Sequence, residues 1–478
     1  METLQRTANR GSVSTGFDID NSLKLEEDNT EYLHFTPSSQ TDYERMAFSI
    51  WIKRTELNNG SGATRLAEFG NGTANTTNLR ILFDSNDKLG IYGNSIVWRL
   101  STQSFRDTSA WYHLFFKFDT TQGTSNDRIR VWVNGQMIAH TDYDTVNNPG
   151  SGTAMGFNRT NAQTIGQQQE GGVIANNGFN GYIAQAWGSG GTPPDVTDFG
   201  EYDTNGIWIP KDISALSIPD SNGFFLDFSD SSDLGNDSSS NNNDFTLNNI
   251  TSADQATDVP TNNFCTFNEL MGDNNAPTIT EGATKVTGGG GTWNRAFGTQ
   301  GVKNGKWYYE VKIADSTDTG YYGASTTPAE NSETQDAQLM YNTSFIVGSA
   351  ASIDYYYWQN GSQVSNESTG WGSLSTNDVI GIALDLDSST KTFTIYKNGS
   401  ALSGTLSQPV DLPTNMQDEF IFPMVVQYED SDDQYNLGGY TTSTISSAAT
   451  DENGYGNFEY APPSGYYALC TKNIAEYG

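Results

Sequence analysis

Carboxylates are the first residues to test for catalysis, because glycoside hydrolysis needs two carboxyl groups about 5–9 Å apart. A strand can present such groups as Glu-x-Asp-x-Glu, since positions i, i+2 and i+4 share one face. The chain contains no such run, and the nearest pattern is Asp385-Leu386-Asp387. This pair stands at the end of a predicted hairpin strand, so we predict that it is solvated there rather than catalytic.

Nucleophilic catalysis finds equally little support. The chain has no Gly-x-Ser-x-Gly nucleophile motif. Three histidines are the candidates for a general base, namely His34, His113 and His140, and each stands in a strand-like run. We predict a structural role for all three. The sequence therefore indicates a protein that is not an enzyme.

A stretch rich in Ser, Asp and Asn after residue 228 offers the densest set of metal ligands. Ca²⁺ takes about six to eight oxygens from carboxylates, amides and backbone carbonyls. The candidate ligands are Asp230, Asp233, Asp237, Asn241, Asn243 and Asp244. Their spacing does not match an EF-hand loop, and a hydrated acidic linker is the alternative. Ca²⁺ is the only cofactor that the sequence suggests.

Aromatic residues are the candidates for ligand binding, since the apolar face of a sugar stacks on an aromatic ring. The richest cluster is Tyr355-Tyr356-Tyr357-Trp358. In a strand, successive side chains alternate between faces, so we expect one pair to pack into the core. The predicted ligand residues are Tyr356, Trp358 and Trp371, the last in a Gly-flanked loop. Packing in the core or on the sheet is the alternative for each.

Composition excludes several classes of protein and partner. Lys and Arg number 24 against 57 Asp and Glu, a formal net charge of −33, which argues against nucleic-acid or anionic-membrane partners. Aromatics make up 12% of the chain, too many for a disordered acidic chain. No apolar run approaches the roughly 18 residues of a membrane span, and the N-terminus has no apolar signal-peptide region. Cys265 and Cys470 are expected to be reduced and buried.

Short alternating segments separated by Gly and Asn predict an all-β protein. Residues 46–54 (MAFSIWIKR) and 305–313 (GKWYYEVKI) alternate, and residues 111–119 (WYHLFFKFD) form a long predicted strand. Asn134-Gly135 stands between two strand-like runs and predicts a tight hairpin.

The first part of the chain resembles laminin-G-like domains of the concanavalin A-like lectin superfamily. The resemblance covers residues 20–190 and consists of FSIWIKR, LAEFG, LRILF, KLGIY, WYHLFFKFDTT, RIRVWVNG and FNGYIAQAW in this order. It implies a jelly-roll sandwich of two antiparallel sheets, with rim loops that often hold Ca²⁺.

The second part resembles a SPRY domain. The motifs are GKWYYEV, DVIGIALDLDSSTKTFTIYKNG and FPMV followed by NLGG, spread over about 200 residues. The resemblance implies a second β-sandwich with partner-binding loops at one end. We therefore predict an all-β chain of two tandem antiparallel β-sandwich (jelly-roll) domains. The predicted segments are an N-terminal arm (1–20), a laminin-G-like sandwich (21–218), an Asn/Ser/Asp-rich connector (219–263) and a SPRY-like sandwich (264–478).

This tandem order, with the opening LQRTANRGSVSTGFDIDNSLKL, resembles virion surface proteins of marine tailed bacteriophages, such as tail fibres. The resemblance implies a non-enzymatic protein that adheres to host-surface glycan or another receptor. Its partners would be other virion structural proteins, in a homo-oligomer for which a trimer is one option. It would be assembled in the host cytoplasm, released by lysis and anchored to the virion by residues 1–20. The alternatives are a purely structural virion decoration protein, a bacterial surface adhesin and a polysaccharide-degrading enzyme.

Overall fold

Strands joined by short turns form almost all of the regular structure. The computed structural model describes residues 16–58, 62–70, 78–93, 96–170, 173–175, 177–271, 277–289, 293–316, 319–326, 344–347, 352–359, 362–428 and 432–478. Within these, contacts divide the chain between residues 261 and 262. We call residues 16–261 the first sandwich and residues 262–478 the second sandwich.

The strands of the first sandwich pair almost throughout as antiparallel neighbours. They are β1 (Ser22–Leu25), β2 (Tyr32–Phe35), β3 (Arg45–Arg54), β4 (Thr64–Phe69), β5 (Leu79–Phe83), β6 (Lys88–Gly93), β7 (Ile96–Ser104), β8 (Trp111–Asp119), β9 (Ile129–Val133), β10 (Gln136–Met137), β11 (Tyr143–Val146), β12 (Gln163–Ile165), β13 (Gln168–Glu170), β14 (Val173–Ala175), β15 (Gly181–Gly190), β16 (Gly200–Tyr202), β17 (Trp208–Pro210), β18 (Phe224–Leu226), β19 (Thr246–Asn248) and β20 (Gln255–Ala256).

The second sandwich adds one helix to its strands. They are β21 (Phe267–Asn268), β22 (Thr278–Thr280), β23 (Lys285–Thr287), β24 (Trp293–Gly298), β25 (Lys306–Lys312), β26 (Thr319–Ser325), β27 (Ser344–Val347), β28 (Tyr355–Gln359), β29 (Ser362–Glu367), β30 (Val379–Asp385), β31 (Thr392–Lys397), β32 (Ser400–Ala401), β33 (Val410–Asp411), β34 (Phe422–Tyr428), β35 (Gln434–Asn436), β36 (Tyr467–Ala468) and α1 (Thr471–Tyr477). Short 3₁₀ turns lie at Ser125–Arg128, His140–Asp142, Val196–Asp198, Ser252–Asp254, Glu269–Met271 and Thr414–Met416.

Two eight-stranded sheets enclose the core of the first sandwich. One has the order β10-β9-β8-β3-β15-β1-β20, with β18 also paired to β15, and the other has the order β11-β7-β6-β5-β4-β12-β2-β19. Alternation along β3 directs Phe48, Ile50 and Ile52 into this core. Pairs β13-β14 and β16-β17 lie outside these sheets.

The predicted Asn-Gly hairpin forms between β9 and β10. Asn134 and Gly135 both have positive φ, 49° and 76°, the conformation that Asn-Gly turns favour. A Cβ on Gly135 would lie 2.2 Å from the Trp208 ring, so the close approach of this ring also requires glycine here.

The segment predicted to be a connector contributes three strands to the first sandwich. β18 pairs with β15, β19 with β2, and β20 with β1. Phe224, Leu226 and Phe245 from this segment are buried in the core. Residues 219–261 are therefore an integral part of the first sandwich.

Two sheets also build the second sandwich. The order of one is β21-β24-β34-β26-β27-β28-β29, and that of the other is β22-β23-β35-β25-β30-β31-β32, with β33 on β31 and β36 on β25. Their facing sides bury Trp307, Ile382 and Phe393, among others. The C-terminal part of the chain covers the outer side of β25, where Phe458 and Ala468 pack against Tyr308.

The structure confirms the predicted all-β class. Cys265 and Cys470 are buried thiols, as expected. No helix in the described part of the chain is long and apolar enough to cross a membrane. Residues 1–15 of the predicted N-terminal arm lie outside the described residues.

Candidate binding surface and buried polar groups

Five aromatic side chains form a continuous series on the outer face of the seven-stranded sheet of the second sandwich. We call them the aromatic row, and they are Trp293, Tyr428, Tyr321, Tyr356 and Trp358, contributed by β24, β34, β26 and β28. Alternation along β34 explains this face, because Val425 and Gln427 point inward whereas Met424, Val426 and Tyr428 point outward.

Ring contacts run from one end of the aromatic row to the other. The Trp293 ring centroid lies 4.7 Å from that of Tyr428 and 5.0 Å from that of Tyr321. Tyr321 meets Tyr356 edge to face at 5.4 Å, and Tyr356 stacks on Trp358 at 5.5 Å. All but Trp358 are partly exposed. The aromatic row therefore combines mutual packing with a solvent-facing side.

An apolar cluster supports the row. Phe297, Met424, Val426 and Trp358 are at most 4% exposed, and Met271 packs against them. The indole nitrogen Nε1 of Trp358 is buried and has no hydrogen-bond partner in the described structure.

Tyr321 and Tyr356 stay neutral at physiological pH. Burial, with smaller contributions from the neighbouring Tyr356 and Asp354, raises the pKa of Tyr321 to about 12. Burial also raises the pKa of Tyr356, as does the charge of Asp354. The two phenols hydrogen-bond each other. The row thus offers uncharged hydroxyls beside one carboxylate.

The structure places two of the three predicted ligand residues in this row. Tyr356 and Trp358 share the outward face of β28, while Tyr355 enters the core, as the alternation predicted. Trp371 does not reach the surface: it is 5% exposed, and its indole donates to the Leu406 carbonyl at 3.0 Å. The prediction that Trp371 binds a ligand is therefore wrong. The flanking glycines indicated a loop but not that this loop packs its tryptophan into the core.

Sequence reasoning missed three members of the row, Trp293, Tyr321 and Tyr428. Each belongs to an alternating strand segment, so its face is readable from the sequence. What joins them is the strand order β24-β34-β26, which brings together positions far apart in the chain.

The predicted metal-ligand segment uses many of its side-chain oxygens for its own backbone. Asp237 accepts hydrogen bonds from the backbone nitrogens of Phe225, Ser239 and Asn243, and Asp244 accepts one from Asp237 itself. Asp230 and Asp233 each accept a backbone hydrogen bond from two residues further on. The amides of Asn241 and Asn243 both donate to the Gly223 carbonyl.

These bonds fold the segment onto the start of β18. In the described part of the chain, no group of three or more His, Cys, Asp or Glu side chains is arranged to hold a metal ion. Ca²⁺ binding by this segment stays a prediction.

His113 is enclosed on the outer face of β8. Its Nε2 lies 2.8 Å from the Ser49 hydroxyl, and its Nδ1 accepts a hydrogen bond from the Trp208 indole at 3.0 Å. Burial lowers the pKa of His113 to about 3, so the imidazole is neutral. Because Nδ1 is an acceptor, Nε2 carries the proton and donates to Ser49, a polarity that would not activate this hydroxyl as a nucleophile.

Asp385, from the carboxylate pair noted in the sequence, bonds to its own hairpin and to β25. Burial opposes ionisation, but hydrogen bonds from Lys306 and Ser388 outweigh it and lower the pKa of Asp385. Its nearest cation is Lys306 at 2.9 Å. Asp385 is 8% exposed, so the prediction that this carboxylate is solvated is wrong, whereas Asp387 is exposed.

Buried carboxylates elsewhere have contrasting partners. In the first sandwich, Lys53 pairs with Asp258 at 2.6 Å, and both are at most 1% exposed. In the second, Glu310 accepts from the backbone nitrogens of Glu459 and Tyr460 at 2.8 and 2.9 Å and from the Tyr308 hydroxyl at 3.0 Å. Burial raises the pKa of Glu310 to about 7 against these hydrogen bonds.

Comparison with known proteins gives a family match for part of the chain. Residues 306–435, which lie within the second sandwich, match the family model described as SPRY domain. No curated protein matches the chain.

Several solved structures are similar to parts of the chain. The SPRY domain of human HERC1 is 16% identical over 35% of this chain and 96% of its own, with TM-score 0.26. A heptameric SAP-like pentraxin from Limulus polyphemus is 16% identical over 37% of this chain and 80% of its own, with TM-score 0.27. The CBM40 of a Ruminococcus gnavus sialidase, solved with α2,3 sialyllactose, is 15% identical over 34% and 85%, with TM-score 0.25. At these identities the likeness concerns the fold alone.

Proposed function

We propose that this chain is a non-enzymatic adhesion protein on the surface of a tailed-phage virion, where it binds host-surface glycan through the aromatic row. The row itself is the observation that carries the binding role. Its rings contact one another on an outer sheet face, and four of the five are partly exposed. Aromatic rings give a ligand a large contact area at a small loss of side-chain entropy.

The virion location is supported by the order of the two resembled domains and by the opening segment of the chain. In this proposal the chain assembles in the host cytoplasm as a homo-oligomer with other virion structural proteins and leaves the cell by lysis. The non-enzymatic role is supported by the enclosed, neutral His113 and by the strand-end contacts of Asp385.

Cell binding tests the adhesive role. Fluorescently labelled chain is incubated with intact candidate host bacteria, and Tyr356→Ala and Trp293→Ala are each expected to weaken binding about tenfold. Phe420→Ala is the matched control, because Phe420 is 48% exposed and precedes β34 at the end opposite Tyr428. This control is expected to bind like the parent chain.

Unlabelled chain should also block virion adsorption to the same cells. If antibodies find the chain on virions but neither the chain nor the antibodies reduce adsorption, the purely structural decoration role replaces the adhesive one. If the chain is missing from purified virions, the virion assignment is wrong.

A further inference from the structure

The aromatic row lies in surroundings that present negative charge. Asp354 acts electrostatically on both Tyr321 and Tyr356. Arg295 shares the outward face of β24 with Trp293, but it is 2% exposed and interacts within the protein. Its guanidinium is therefore not presented to a ligand.

Cations near aromatic rings do occur in this chain, but at other places. In the described residues, the cation–π contacts of Lys and Arg involve rings outside the row. Proteins that hold carboxylate or sulfate groups supply Arg or Lys for them, because a charged ligand group must recover its lost hydration. An acidic sugar on this row would meet Asp354 instead and be repelled.

Hydrogen-bonding groups of the row suit neutral oxygens. The Tyr321 and Tyr356 side chains are partly exposed, and their hydroxyls are uncharged. Hydroxyl and ether oxygens of a pyranose can accept from a phenol O–H without bringing a charge into the site. The ring surface, the neutral donors and the nearby carboxylate thus all favour an uncharged ligand with hydroxyl and ether oxygens.

We propose that the aromatic row binds an uncharged glycan, a pyranose chain without carboxylate or sulfate groups, and discriminates against acidic polysaccharides. This inference rests on the proposed function and names the class of ligand at the same surface.

Polysaccharides that differ only in charge test the inference. The probes are highly methyl-esterified and fully de-esterified homogalacturonan, together with hydroxyethyl cellulose and carboxymethyl cellulose, each measured against the full chain by affinity gel electrophoresis. We expect binding to at least one uncharged probe, at least tenfold tighter than to its acidic counterpart. Tyr356→Ala should reduce that binding about tenfold, and Phe420→Ala should leave it unchanged.

Two substitutions separate the charge effect from the donor effect. Asp354→Lys should reduce the difference in affinity between the uncharged and the acidic probes. Asp354→Asn should reduce this difference in affinity by a smaller factor. Tyr356→Phe keeps the aromatic ring but removes the hydroxyl donor, so binding of the uncharged probe should weaken by about threefold to tenfold.

The possible failures are distinguishable. Tighter binding of the acidic probes, abolished by Tyr356→Ala, would overturn the ligand class and leave the adhesive function standing. Binding that is insensitive to Tyr356→Ala would overturn the assignment to the row. If no probe binds and the labelled chain also fails to bind cells, the proposed function falls together with the inference; if no probe binds while cells are bound through Tyr356, the inference alone falls.

Discussion

Two deeply buried carboxylates of the first sandwich have cations as partners, whereas two of the second sandwich have neutral donors. In the first, Asp258 faces Lys53, and Asp87 lies between Arg54 at 2.9 Å and Arg106 at 2.6 Å. In the second, Asp433 is 2% exposed and accepts hydrogen bonds from the neutral Tyr322 hydroxyl, the Gln427 amide and the Ala314 backbone nitrogen.

The Glu310 carboxylate of the second sandwich likewise accepts from neutral groups. Burial raises the pKa of both Glu310 and Asp433, because dipoles offset desolvation less well than a full positive charge does. Glu31 in the first sandwich is the informative exception. It shares Lys24 with Asp254, and burial together with this second acid raises its pKa to about 7. One cation for two acids is too few to keep both ionised.

The largest effect should come from breaking a buried ion pair of the first sandwich. Lys53→Met removes the cation that lies 2.6 Å from the buried Asp258 carboxylate, to which the Trp111 indole also donates at 3.0 Å. We expect the free energy of unfolding to fall by about 3–5 kcal/mol, measured by guanidinium denaturation of the full chain. Adding Asp258→Asn removes the buried negative charge and should recover more than half of the loss. A loss below about 1 kcal/mol for Lys53→Met alone would contradict the view that the buried Asp258 carboxylate depends on its cation.

An intermediate effect, visible only as a pH dependence, is expected for Glu310→Gln in the second sandwich. The raised pKa means that the folded chain binds this proton more tightly than the unfolded chain. The resulting stability is complete below about pH 4.5 and is lost as the pH rises through about 7. Glutamine does not titrate, so the variant should gain roughly 2–3 kcal/mol on the parent chain between these limits.

Thermal unfolding of parent and Glu310→Gln proteins across pH 4 to about 8 measures this difference. The contribution of Glu31 is common to both proteins and cancels. The glutamine amide also faces backbone N–H donors in place of a carboxylate oxygen. The resulting loss in the free energy of unfolding is the same at every pH, so it does not change the shape of the pH profile. Parallel pH profiles would show that Glu310 titrates as it does in the unfolded chain.

The smallest effect is expected where the two sandwiches do not differ, at exposed ion pairs. Lys285 and Asp432 of the second sandwich lie 3.2 Å apart and are 30% and 43% exposed. Lys285→Ala should cost less than about 1 kcal/mol, and the cost should shrink in about 1 M salt. Lys117→Ala, whose partner Asp195 is 79% exposed, is the counterpart in the first sandwich. A loss above about 2 kcal/mol for either would mean that exposed pairs also distinguish the sandwiches.

Local sequence patterns predicted strands and turns well. The run WYHLFFKFD became β8 with the predicted bounds, and Asn134-Gly135 became the predicted hairpin turn. These features depend on alternation and on backbone preferences within a few residues, which the sequence displays directly.

What the sequence concealed depends on distant residues. Ser49 and Lys53 lie on the face of β3 away from the core, yet they are at most 1% exposed. Lys53 pairs with Asp258, about 200 residues later in the chain. Ser49 hydrogen-bonds to His113, and the Trp208 indole donates a hydrogen bond to the other nitrogen of the same imidazole. The aromatic row was also only partly predictable, because it joins residues that are distant in the chain. The sequence revealed the cluster on β28, but Trp293 and Tyr428 come from other strands.

Strands β18, β19 and β20 also set the unit in which this molecule can be exchanged during evolution. A recombination event that copied only residues 21–218 would leave β1, β2 and β15 without these neighbours. It would also uncover the places that Phe224 and Phe245 fill in the core. A recombination event that keeps the first sandwich folded must therefore include residues 219–261. The Asn- and Ser-rich sequence is here part of a folded domain.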